Sequence, residues 1–316
     1  MSLTRQDIRD HYCNPRVKET IIRCSADEGS TRAGNYDFTG WYKYYKDKRQ
    51  LFNLETDYNQ IINKVQRSLY WTLNFFDNHT FDIQTNNPDE RLGTGKETES
   101  YTLGIDIDIK EGYDITNGHA RLSLEECVTF FHHELSQYLD PGNIYAAFSG
   151  GGAYVYLHHN LFKLPVPEDG DYDLSEREDS WAVLRAMYQL LMEDISEKFF
   201  QKNPDAANYV KVDFLNNDKR LFKTIYSIHK KHDYAVIPLK PPYFKIDLEE
   251  ATLPLSDTVL EYGMGWYKYC EDLEGRNNLL RKLQEYEWVA KSLNNISKIT
   301  INNEKVVSKV KIELND

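Results

Sequence analysis

Cysteine is scarce: four residues in a chain of 316. Cys13, Cys24, Cys127 and Cys270 are widely spaced and form no C-x-x-C pair. That spacing argues against a zinc knuckle and against a disulfide framework, so no structural zinc is expected. Long apolar runs are missing as well. None approaches the ~18 residues a membrane-spanning helix needs, so no membrane partner is expected. Residues Met1 to Asp7 lack the apolar stretch of a secretory signal, and the expected location is intracellular, cytoplasmic or nucleoid-associated. Basic residues are in deficit: 38 Lys and Arg against 50 Asp and Glu give a net charge of −12. This argues against a generic nucleic-acid coat and leaves room for an enzyme with a locally basic groove. Internal repeats and low-complexity tracts are absent, and the length suits one large or two medium domains.

What the chain does have is a pair of acids on one short strand. Tyr101 to Lys110 alternates: Leu103, Ile105, Ile107 and Ile109 point one way, Gly104, Asp106 and Asp108 the other. Two carboxylates side by side repel, and burial is costly unless something positive neutralises them. A divalent cation held by oxygen ligands, Mg²⁺ or Mn²⁺, does so; two solvent-screened acids on an edge strand is the plainer alternative.

Around this strand the pattern predicts helix and then loop over residues 1–35, with Ala26 to Gly34 as a turn. Helical spacing follows from Glu55 to Tyr70, then a strand over Leu69 to Phe76 and a loop from Asn78 to Glu99. The aromatic and cationic run Trp41 to Arg49 reads as an ordinary half-buried face, with base stacking as the alternative. Ser123 with Glu126 predicts the start of an amphipathic helix, whose adjacent His132 and His133 do not share a face. Strands are expected at Ile144 to Phe148, Ala153 to His158 and Ala235 to Leu239. Ser175 with Glu178 predicts the start of a long helix through Phe199, and residues 164–174 a loop before it. Ser256 to Leu293 reads as largely helical, and residues 298–314 as a hairpin around Asn302. The expected organisation is a catalytic domain over 1–250 and a helical appendage over 251–316.

Two further stretches carry chemistry. Ser149, Gly150, Gly151 and Gly152 form a tight loop between two strands, whose amides and Ser149 hydroxyl can cradle phosphate oxygens. A Gly-rich hairpin turn is the alternative; it is not a P-loop, because no Lys-Ser/Thr follows. Val212 to His229 supplies a further carboxylate (Asp213 or Asp218), then Arg220, Lys223, Ser227 and His229. Two-metal nucleotidyl transfer needs that inventory: three acids holding two cations about 3.5–4 Å apart, and a Lys and a His facing the triphosphate.

In order and spacing the three motifs resemble those of the archaeo-eukaryotic primase superfamily, the small (catalytic) subunit and the related primase-polymerases. Gly104 to Asp108 resembles the family's hydrophobic-D-h-D strand, and Phe148 to Gly152 its S-G-x-x-G loop. Val212-Asp213, Arg220 to Lys223, Tyr226 to His229 and Ala235 to Leu239 resemble the third-carboxylate motif with its Ser-x-His and closing strand. The resemblance spans roughly residues 60–240. It implies an α+β fold with a primase-type core of two small β-sheets, flanking helices and a helical C-terminal appendage. It implies a DNA primase or primase-polymerase that makes or extends primers on single-stranded DNA from nucleoside triphosphates. Asp106, Asp108 and Asp213 would bind two Mg²⁺ or Mn²⁺; Ser149, Gly150, Gly151, Arg220, Lys223, Ser227 and His229 would contact the nucleotide. A primase large subunit or a helicase is a candidate partner. The sequence departs from the family where its loop continues G-x-H: Ala153, Tyr154 and Val155 stand there, and the nearest histidines are His158 and His159. A catalytically degenerate nucleic-acid- or partner-binding subunit, and another D-x-D metal-dependent transferase, are the alternatives.

Overall fold

The computed structural model describes residues 3–37, 52–77, 98–163, 174–214 and 220–293. The expected loop tip at 78–97, the Trp41 to Arg49 run, the 164–173 loop, Asp218 and the hairpin at 298–314 lie outside them. The elements are, in chain order, α1 (Arg5–Cys13), α2 (Pro15–Ser25), β1 (Ala26–Asp27), β2 (Ser30–Tyr36), β3 (Phe52–Asn53), α3 (Tyr58–Ile62), β4 (Leu69–Asp77), β5 (Thr98–Tyr101) and β6 (Gly104–Ile109). They continue with α4 (Gly118–Leu135), β7 (Ile144–Phe148), β8 (Gly152–Leu157), α5 (Leu174–Lys202), β9 (Val210–Asp213), β10 (Leu221–Lys223), β11 (Ile237–Pro238), α6 (Asp257–Gly265) and α7 (Leu273–Gln284).

The strands make two antiparallel sheets with helices around them, the α+β arrangement expected. One sheet runs β1-β2-β4-β10, with β3 on β2 and β5 on β4; the other runs β11-β7-β8-β6-β9. Tyr101 to Lys110 is therefore not one strand. Tyr101 ends β5 in the first sheet, and β6 begins the second at Gly104. Thr102 and Leu103 make the crossing: the Thr102 amide donates to Leu73 in one sheet, and Leu103 accepts from Leu157 in the other. Helix α4 covers the apolar face of β6, β7 and β8, and α5 packs on α4 and α7. One buried apolar cluster runs from Ile8 in α1 to Leu283 in α7 and takes in Leu255, Val259, Trp266 and Tyr267.

Several boundaries differ from the sequence reading for identifiable reasons. Ala26 to Gly34 is a hairpin rather than a loop, with Gly29 at φ 75° in its turn and Thr31, Arg32 and Ala33 buried. Part of the polarity that suggests a loop belongs to Arg32, whose guanidinium donates to the carbonyls of Cys24, Thr72 and Leu73, to Thr102 and to Tyr267. A charge so surrounded can be buried without a carboxylate. The helix expected over Glu55 to Tyr70 shrinks to α3, because the amides of Gln66, Arg67 and Ser68 donate to the Asp37 carboxylate instead. Helix α4 starts at Asn117, whose side chain caps the Ala120 amide at 3.0 Å, and Ser123 is a buried mid-helix residue rather than a cap. His132 is buried and His133 exposed, the split the adjacent spacing predicts. Helix α5 is already under way at Leu174, so Ser175 lies inside it and not at its cap. The strand expected over Ala235 to Leu239 narrows to β11. Residues 266–272 interrupt the helix expected over Ser256 to Leu293.

Candidate active site

Strand β6 is the axis of the site. Leu103, Ile105 and Ile107 are fully buried. On the opposite face the Asp106 side chain is 18% exposed and that of Asp108 43%. Asp106 pairs with Tyr154 of β8 on one side and with Asp213 of β9 on the other. Asp108 pairs with Gly152 and Lys211. Since side chains directly opposite across an antiparallel pair share a face, the register alone puts Asp106 and Asp213 together. Arg220 stands between them, its Nη2 2.7 Å from Asp213 Oδ2 and 3.3 Å from Asp106 Oδ2. The Lys211 Nζ is 3.6 Å from Asp108 Oδ2.

Beneath the acids lies a buried lysine. Lys223 ends β10 in the other sheet, and its Nζ donates to the Tyr154 hydroxyl at 3.2 Å. Burial pulls Lys223 down to about 8, against the pull of Asp106 and Asp108. Asp106 is pushed well above the usual carboxylate range, first by burial and then by the charge of Asp108, with Lys223 and Arg220 opposing. Burial, more than any imbalance of charge, is thus what makes the ionised form of Asp106 costly here.

The Gly loop joins the acids to the third motif. Gly150 has φ 87° at the first central position of the turn joining β7 and β8, the position a type II′ hairpin gives to glycine. A Cβ on Gly150 would sit 2.5 Å from the His229 Cβ; one on Gly152 would sit 2.3 Å from the Ile107 carbonyl oxygen. Gly151 lies against the His229 ring, its Cβ position 3.2 Å from Nε2. The glycines let the turn press between the Asp108 backbone and His229. His229 Nδ1 accepts from the amides of Lys231 and His232, so the neutral ring carries its proton on Nε2, the nitrogen beside Gly151. Burial first, then Lys223, the neighbouring His232 ring, Lys230 and Arg67, drive His229 down to about 2.

Of the sequence-nominated residues, Asp106, Asp108, Asp213 and Arg220 stand together on one face of the sheet, with Lys223 close by. Ser149, Gly150, Gly151 and His229 stand together beside Asp108. Ser227 faces elsewhere: it is fully buried and its hydroxyl accepts from the Leu69 amide, which ties the Ser-x-His segment to β4. His158 and His159 lie past the far end of β8, stacked on each other and on Tyr267, with His159 also bonded to Asp27. They do not reach the loop.

Residues that the motif reading passes over also build the site. Tyr154 holds Lys223; the two-residue alternation from Gly152 places it beside Asp106. Arg67 donates to the carbonyls of His229 and His232 and to Asp233, fixing the 229–233 loop, a link no local spacing reveals.

Hard carboxylate oxygens are the donor chemistry of Mg²⁺ and Mn²⁺. Among the described residues, however, no three His, Cys, Asp or Glu side chains stand in ready metal-holding geometry, and Arg220 takes up the facing oxygens of Asp106 and Asp213. The donor atoms suit a divalent cation in kind, and Arg220 stands in the place between Asp106 and Asp213 that one would take. Chemically the arrangement joins an anionic edge to a cationic floor a few residues away.

An α+β fold of two antiparallel sheets, with an acidic face on β6 beside a Gly turn, is thus the class to which the chain belongs. No protein-family model matches the chain, and no curated protein matches it. Among solved structures it is similar to the polymerase domain of Mycobacterium tuberculosis Ligase D in complex with DNA. The TM-score is 0.44 and the identity 16%, over 82% of this chain and 88% of that one. No described helix is long and apolar enough to cross a membrane.

Proposed function

We propose that the chain is a template-directed nucleotidyltransferase, a primase or primase-polymerase that makes or extends primers on single-stranded DNA. The observation that carries this reading is the convergence on β6. Asp106 stands opposite Asp213, and Asp108 is paired to the Gly turn that packs on His229. Asp106, Asp108 and Asp213 would hold the Mg²⁺ or Mn²⁺ ions, which supply an activated 3′-hydroxyl and neutralise charge on the departing pyrophosphate. Lys223 and the His229 Nε2–H would donate to triphosphate oxygens, and the amides at the tip of the Gly turn would hold them in place. Arg220, released from Asp213, would be free to pair with phosphate. Ser227 would position His229 through Leu69 rather than touch the nucleotide.

Primer synthesis on a single-stranded template with Mn²⁺ or Mg²⁺ tests this, comparing the wild type with the double variant Asp106→Ala, Asp108→Ala. Product from the wild type and none from the variant is expected; equal product from both would sink the proposal. The Arg220 bridge favours one other reading, a degenerate primase-like subunit that keeps its acids tied and binds nucleic acid or a partner. Calorimetric titration separates them, because such a subunit has no metal-dependent affinity for nucleoside triphosphates.

A further inference from the structure

The loop after His229 carries a second imidazole that the motifs do not include. His232 stacks on His229 with ring centroids 4.7 Å apart and planes 13° from parallel. Both rings face the Gly turn: the Gly151 Cβ position is 3.2 Å from His229 Nε2 and 3.6 Å from His232 Cδ2. His229 is held by the two amides on its Nδ1, and the loop itself by Arg67, which donates to the His229 carbonyl at 2.6 Å and the His232 carbonyl at 2.7 Å.

The surroundings are cationic. Lys223, Lys230 and Arg67 act on the His229 ring together with His232. Of the acids close by, Asp108 lies across the Gly turn and faces Lys211, Asp233 pairs with Arg67, and Asp114 is bonded to Thr116 while lying within electrostatic reach of His232. Two stacked rings ringed by cations beside glycine amides form a preorganised receptor for a multiply charged anion.

We propose that His232 is a nucleotide-binding residue, the second imidazole of a clamp with His229 for the terminal phosphates of a nucleoside triphosphate. The proposal rests on the nucleotidyltransferase reading and adds a residue to its binding site. Arg67 is the positioning residue of the clamp.

Calorimetry on the full chain tests it, with inorganic tripolyphosphate, a nucleoside triphosphate and a single-stranded oligonucleotide as separate titrants against wild type and His232→Gln. A lost hydrogen bond to a charged group predicts roughly tenfold weaker binding of both polyphosphates by the variant. Oligonucleotide affinity and melting temperature should stay as in the wild type. If only the nucleoside triphosphate is affected, the clamp is overturned, since its chemistry is that of the phosphates. Wild-type polyphosphate affinity in the variant overturns the His232 assignment and leaves the proposed function standing. Failure of the wild type to bind either polyphosphate overturns both. The ring ¹H–¹⁵N signals of wild-type His232 give a readout that needs no variant: they should move on adding tripolyphosphate, and unmoved signals overturn the assignment.

Discussion

Asp106 is held in the fold against its own preference. Its native pKa is raised to about 7, whereas an unfolded chain leaves it near the ordinary carboxylate value. Between those two pH values the native state binds more protons than the unfolded state. Stability therefore falls as pH rises through this window, and is lowest above about 7 when no metal is bound. Asp106→Asn removes the repulsion while keeping the shape. At pH 8 in chelator its melting temperature should exceed that of the wild type by at least ~2 °C, and it should make no primers. A variant that melts lower would show that the charge is better neutralised than the burial implies. Arg220 is the other half of this balance. Removing a cation that competes for Asp106 and Asp213 should strengthen Mn²⁺ binding, so Arg220→Gln should bind Mn²⁺ a few-fold tighter in the absence of nucleotide. Its nucleoside triphosphate affinity should fall at the same time. Electron paramagnetic resonance of free Mn²⁺ reads the first effect and calorimetry the second; weaker Mn²⁺ binding by the variant would count against the competition.

At the scale of elements, the turn between β7 and β8 decides whether the motifs meet. Gly150 and Gly29 both hold positive φ, 87° and 75°, but a Cβ on Gly29 meets nothing within 4 Å. Each alanine substitution carries the left-handed strain, on the order of 1–2 kcal/mol. Only Gly150→Ala must also displace His229. Gly150→Ala should therefore lose more stability in urea denaturation than Gly29→Ala, and should lose nucleoside triphosphate affinity that Gly29→Ala keeps. Equal losses would mean that the turn does not set the His229 position. This turn was legible in the sequence because glycine spacing reports backbone demands directly. So was the acidic face of β6, because alternation is a local property of strands. The β1–β2 hairpin was not, because the acceptors that make a buried Arg32 tolerable come from residues 24, 72, 73, 102 and 267, far apart along the chain. The start of α4 was missed for a different reason. Ser123 and Glu126 satisfy a capping pattern equally well inside a helix, while the cap itself is made six residues earlier by Asn117 on the Ala120 amide. The pairing of Asp106 with Asp213 lay in between: the third-carboxylate motif nominated Asp213, but the strand register that sets it opposite Asp106 is a long-range fact.

The whole molecule is acidic, at −12, while the site gathers Lys211, Arg220, Lys223, Lys230, Lys231 and Arg67. An acidic body repels a nucleic-acid backbone, so attraction has to come from a short basic stretch, and few phosphates can be neutralised at once. Binding of single-stranded DNA should accordingly weaken with salt along a shallow slope. Each neutralised phosphate contributes about 0.7 to the slope of log K against log salt for a single strand. Lys230 and Lys231 are exposed, in the loop that carries the His229 and His232 rings. On the proposed function, they are the exposed cations a template strand would meet beside the acids. The double variant Lys230→Gln, Lys231→Gln should reduce the magnitude of the slope by about 1.4 if both residues contact phosphate. Because the two side chains stand at the surface, the melting temperature should stay within about 1 °C of the wild type, since exposed substitutions away from special features change stability little. Fluorescence anisotropy with a labelled oligonucleotide across a salt series measures the slope. An unchanged slope would place the strand on another face, and a slope that vanishes altogether would make this pair the whole of the electrostatic contact.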